Sequence, residues 1–63
     1  MRSNIKDIMT KKKVSMAALA TMTGLSIETI RRARGKEIAL CKLLTLSKIA
    51  RALNVKVNSL FDD

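Results

Sequence analysis

Residues 16–33 read Met-Ala-Ala-Leu-Ala-Thr-Met-Thr-Gly-Leu-Ser-Ile-Glu-Thr-Ile-Arg-Arg-Ala, and the spacing within them decides the fold. Apolar Leu19 and Ala20 precede a glycine, Gly24, and Ile30 and Ala33 follow it. Two helices crossing at roughly 90–120° need a small residue where their backbones approach, and Ala20 supplies it. Gly24 can take the left-handed conformation that ends a helix without steric cost. Ser15 and Ser26 stand where N-caps are needed, so the spacing predicts helices beginning after Ser15 and ending near Thr23, and beginning after Ser26 and running to about Arg34. The pattern is a helix-turn-helix over about residues 16–34.

The faces of the second helix follow from roughly 100° per residue. With Ile30 at zero, Ser26 and Ala33 fall on its side and meet the core, whereas Glu28, Arg31 and Arg32 point away. Ile27 and Thr29 flank that exposed face on opposite sides. On the first helix Leu19 and Ala20 face inward, and Met22 is assigned to the core or its edge.

Outside this motif, Ile5, Ile8 and Met9 form an apolar stripe at i, i+3 and i+4, predicting a helix over about Asn4–Lys12. Ser3 or Asn4 caps it, and Asp7 complements its dipole. Lys11, Lys12 and Lys13 crowd its end, either as a solvated, dipole-favoured cap or as phosphate contacts. Residues 35–40 read as a loop led by Gly35. Leu43, Leu46, Ile49, Ala50 and Leu53 predict an amphipathic helix over roughly Cys41–Leu53, with Asn54 as its left-handed stop. Val57, Leu60 and Phe61 suggest a short fifth helix, and no stretch alternates as a strand.

A chain of 63 residues without proline and 48% apolar suits one compact helical domain, residues 1–63. No apolar run approaches the ~20 residues of a membrane span, and no signal-peptide pattern is present, so the expected location is cytoplasmic. No histidine and one cysteine, Cys41, exclude a four-ligand zinc site and an intrachain disulfide. No cofactor is expected. No nucleophile–base–orienter set can be assembled, so an enzyme is not expected either.

The net charge is +8, and residues 1–36 hold nine basic and two acidic side chains of it. A basic half that also contains the helix-turn-helix points to a polyanion, and to duplex nucleic acid before an anionic membrane, which would not need the glycine turn. One aromatic residue, Phe61, is too few for the base stacking of single-strand and RNA readers.

Further residues carry a resemblance. Leu19-Ala20, Gly24-Leu25-Ser26, Thr29-Ile30 and Arg32, followed by Thr45-Leu46-Ser47-Lys48-Ile49-Ala50-Arg51-Ala52-Leu53-Asn54-Val55 and Leu60-Phe61, resemble the Cro/cI-type, or XRE family, helix-turn-helix domain over about residues 4–61. The resemblance implies an all-α, five-helix, lambda-repressor-like bundle that binds duplex DNA, usually as a homodimer on a near-palindromic operator. It implies a transcriptional regulator with the recognition helix, about residues 26–34, in the major groove. Some antitoxins share the fold, which would add a protein partner. A non-DNA interaction or membrane-surface module is the reading from another class.

The family reads bases from the first turns of its recognition helix, which here implies Ile27, Glu28, Arg31 and Arg32. Its first motif helix usually begins with a phosphate-binding Gln, and that position is Met16. Methionine cannot donate that bond, which leaves the helix-start N–H groups for the phosphate. The family often pairs a Glu ending the recognition helix with an Arg on the first helix. The matching residues are Arg34 and Met9, so Met9 is expected to pack on the stem of Arg34, whose head turns to solvent or phosphate. The usual loop glycine is Lys36, with Gly35 one position early.

Arg31 and Arg32 can each donate two parallel bonds to guanine O6 and N7, or bind phosphate. Glu28 either accepts from cytosine N4 or pairs with Arg31 or Arg32 along its own helix. Ile27 touches a thymine methyl or packs at the core edge. Thr29, Lys36, Lys42 and Lys13 are candidates for the DNA backbone. Leu60, Phe61 and the end of the fourth helix are candidates for a dimer contact or for packing within one subunit. Cys41 is read as a small residue starting the fourth helix.

Overall fold

The computed structural model describes residues 1–63. Four α-helices form the body: α1 (Ile5–Lys12), α2 (Met16–Thr23), α3 (Ile27–Arg34) and α4 (Leu43–Leu53). Strands β1 (Arg2–Ser3) and β2 (Phe61–Asp62) pair antiparallel, Arg2 opposite Asp62 and Ser3 opposite Phe61.

The helix stops are chemical. The Ser15 hydroxyl accepts from the Ala18 N–H at 3.0 Å, and the Ser26 hydroxyl from the Thr29 N–H at 3.1 Å. Each satisfies one donor that a helix start leaves orphaned. Gly24 ends α2 at φ 75°, its N–H reaching the Ala20 carbonyl at 2.8 Å. Lys13 and Asn54 end α1 and α4 in the same left-handed region, both at φ 58°. In each case the following N–H, of Val14 or Val55, returns to the carbonyl of Met9 or Ala50.

All eleven buried residues are apolar, drawn from every helix: Ile5 and Met9, Leu19, Ile30 and Ala33, then Leu46, Ile49, Ala50 and Leu53, joined by Ile38 and Leu60. Ile30 and Ala33 therefore lock the inward face of α3, as its periodicity requires.

Several expectations need correction. The fold is the expected all-α helix-turn-helix bundle, but it has four α-helices and a small two-stranded sheet rather than five helices. Val57–Ser59 forms only a 3₁₀ turn, started at Lys56 without a side-chain cap, and the chain then extends into β2. The 35–40 loop is a 3₁₀ helix over Lys36–Leu40 that drives Ile38 into the core. α4 begins at Leu43, so Cys41 lies two residues before it, and Lys42 holds the N-cap position without a side-chain bond. Leu43 is 70% exposed rather than inward. It is the first residue of its helix, where the Cα–Cβ bond leans past the helix end. Met22 is 54% exposed rather than at the core. It sits about 110° from the middle of the face that Met16, Leu19, Ala20 and Thr23 turn inward.

Asn4 precedes α1 but does not cap it with its side chain. Its N–H donates to the Leu60 carbonyl at 2.7 Å, and its Nδ2 to Asp62 Oδ2 at 3.1 Å. The Ser3 hydroxyl instead accepts from the Ile5 N–H at 3.3 Å and donates to the Ala33 carbonyl at 2.6 Å. The sheet is thereby fastened to the last turn of α3. Leu60 is fully buried, so it packs within the subunit and offers nothing to a dimer.

Candidate nucleic-acid interface

α3 carries the exposed polar face that its periodicity describes. Glu28, Arg31 and Arg32 are all exposed on the side opposite Ile30 and Ala33. They are not independent. Arg31 Nη1 donates to Glu28 Oε2 at 2.7 Å. Arg32 Nε lies 3.9 Å from Glu28 Oε1 and 3.9 Å from Glu37 Oε2, between the two carboxylates. Of the two readings of Glu28, the intrahelical pair is thus present in the free protein, which leaves Glu28 available to the solvent on the same face. Glu37 had no signal in the sequence, because its partner is reached only through the 3₁₀ helix.

Ile27 is 43% exposed at the edge of this face. Thr29 is half-buried, its hydroxyl sharing a 2.9 Å hydrogen bond with that of Ser26, so the capping bond also orients Thr29. Met16 is half-buried against the core. The Met16 and Ala17 N–H groups take no acceptor within the protein, so the start of α2 presents two free donors. Lys13, Lys36 and Lys42 are exposed, at the end of α1, the start of the 3₁₀ helix and the start of α4.

A concavity of about 310 Å³ lies between α3, the 3₁₀ helix and α4, and Arg32, Glu37, Cys41 and Lys42 line it. The Cys41 thiol is held above its ordinary pKa, first by partial burial, with Glu37 adding to the rise and Arg32 opposing it. A second, basic concavity is lined by Arg2, Arg34 and Lys36 beside the end of α3. Arg34 has no carboxylate within 4.0 Å, and Met9 is buried, so the ion pair common in the resembling family is replaced by a free cation.

Residues 4–63 match the family model of the Cro/C1-type HTH DNA-binding domain. The chain belongs to that family. No curated protein and no solved structure matches it. As a Cro/C1-type domain the protein has DNA as its partner, and α2 and α3 are its helix-turn-helix. No helix of this Cro/C1-type domain is long and apolar enough to cross a membrane.

Proposed function

We propose that this Cro/C1-type domain is a sequence-specific transcriptional regulator of repressor type, without enzymatic activity, that sets α3 into the major groove of a near-palindromic operator. The observation that carries the reading is the exposed set Glu28, Arg31 and Arg32 on a helix whose other face is locked by Ile30 and Ala33. A rigid, core-anchored helix with donors and an acceptor on one face is what direct base readout requires.

Arg31 is held by Glu28 in the free protein and must exchange that partner for DNA. The exchange costs little, because exposed ion pairs are worth only about 0.2–1 kcal/mol. A guanidinium released to guanine leaves the carboxylate facing the groove, where cytosine N4 is the donor it can accept from. Arg31, Arg32 and Glu28 together therefore favour G·C pairs, and Ile27 at the edge suits a thymine methyl. The free N–H groups at Met16, the Thr29 hydroxyl and the Lys13, Lys36 and Lys42 ammonium groups supply backbone contacts that position without reading sequence.

The regulator acts as a homodimer on its operator. Leu40 and Leu43, 80% and 70% exposed around the start of α4, support this reading as the apolar surface that Leu60 does not provide. Selection of a random duplex pool on the full chain tests the function. The expected result is an enriched inverted repeat whose half-sites lie about one helical turn apart, bound with an affinity that falls steeply with salt. A pool that stays random, or duplex left unbound at low salt, sinks the proposal.

A further inference from the structure

The outward face of α4 carries a feature that DNA binding by α3 does not use. An open groove of about 720 Å³ runs between this face and the segment that follows the helix. Leu44, Ala50, Val55 and Val57 supply its apolar lining, and Lys48, Arg51 and Lys56 its cations. Leu44 is 67% exposed, while both valines are partly buried against the core. None of the three cations has a carboxylate within 4.0 Å, and none of the chain's five acidic residues lines the groove.

We propose that this groove is a docking surface for an acidic amphipathic segment of a second protein. Charge complementarity selects the occupant. Three unpaired cations around an apolar floor match a segment that places Asp or Glu beside a short row of apolar side chains. Duplex DNA satisfies the cations but has nothing to set against an exposed leucine and two valines. A second copy meeting this face about a two-fold axis opposes its own Lys48, Arg51 and Lys56 to the same three residues, a like-charge contact. The groove is separate from the α3 surface, since no residue lining it also lines the concavity beside Arg32. Thr45, which faces that concavity, lies roughly 100° around α4 from Leu44.

The test is selection of short random peptides displayed on phage against the immobilised full chain, with enriched peptides then titrated into the isotope-labelled protein. The expected peptides combine Asp or Glu with apolar residues spaced for one helix face. Their binding moves the amide signals of Leu44, Lys48, Arg51 and Val57. It weakens roughly tenfold or more in Leu44→Ser and in Lys48→Gln/Arg51→Gln. All these side chains are exposed on the surface, so both variants should melt with the parent, and Leu44→Ser leaves the charge unchanged. The proposal is overturned if no peptide is enriched, if enriched peptides lack acids or apolar residues, or if the signals that move lie on α3. It is equally overturned if a short duplex, or raised concentration of the protein alone, moves the signals of Arg51 and Val57, which lie away from Leu43 and the proposed dimer contact.

Discussion

Arg31 and Glu28 are joined one turn apart on α3, Nη1 to Oε2 at 2.7 Å, on the face turned to solvent. The geometry holds the two groups proposed to read bases against each other in the free protein. Removing the charge of Glu28 frees Arg31 and lessens repulsion by phosphates. Glu28→Gln should therefore change stability by no more than about 1 kcal/mol, tighten binding to duplexes of any sequence, and lose selectivity at one G·C position. Comparing parent and variant on a randomised half-site pool measures this, and identical preferences would dispose of the cytosine contact.

Arg32 and Lys36 should separate reading from positioning. Arg32→Ala is expected to lose about 1–3 kcal/mol of discrimination at one base pair. Lys36→Ala should weaken all sequences alike and reduce the slope of log affinity against log salt by about one. Binding titrations on matched and mismatched duplexes at several salt concentrations give both numbers.

Lys13 should couple stability to affinity. Its backbone sits at φ 58°, where a Cβ carries a steric cost of roughly 1–2 kcal/mol that glycine avoids, offset in part by glycine's greater loss of backbone entropy. Lys13→Gly should raise the melting temperature, and it should also lower DNA affinity and flatten the salt slope through loss of one cation. A variant that is stabilised with an unchanged slope removes Lys13 from the DNA contacts.

Leu60 belongs to the core. Leu60→Ala should cost about 2–5 kcal/mol, as deletion of a buried leucine does. The loss should be independent of protein concentration, which thermal melts over a range of concentrations reveal.

Cys41 reports on its neighbours. Burial raises its pKa, so at neutral pH the thiol stays protonated and alkylates more slowly than a free cysteine, with the rate climbing as pH rises toward the raised value. Arg32→Ala removes the opposing cation and should slow the reaction further. Glu37→Gln should hasten it. Alkylation rates followed by mass spectrometry across pH show whether the two changes act in opposite directions.

The elements legible in the sequence are those whose signal is local. Ser15, Gly24, Ser26 and Asn54 each satisfy or end a helix through neighbours a few residues away, and all four act where their chemistry places them. The outward set on α3 follows from the same 3.6-residue period that buries Ile30 and Ala33. What escaped depends on distant partners or on short elements without a period. Two-residue strands cannot alternate. A 3₁₀ helix of five residues gives Ile38 no repeat to announce its burial, and Glu37 meets Arg32 only because that helix turns back. Leu43 has the right spacing but lies where the helix has just begun, and Leu60 is claimed by the Asn4 clasp rather than by another subunit.

The clasp itself has a consequence for the order of assembly. Asn4 and Asp62, 58 residues apart in the chain, are bonded to each other, and Ser3 beside them donates to the Ala33 carbonyl. Closing so long a loop, like the Arg2–Asp62 pairing beside it, carries a larger entropic cost than the turns between α1, α2 and α3, which close over a few residues. The helices can therefore collapse together first, and the strands meet afterwards. Only then does the last turn of α3 gain its bond from Ser3. The bond on the last turn of α3 is thus hostage to the pairing of the two chain ends, while the rest of the helix stays held by Ile30 and Ala33.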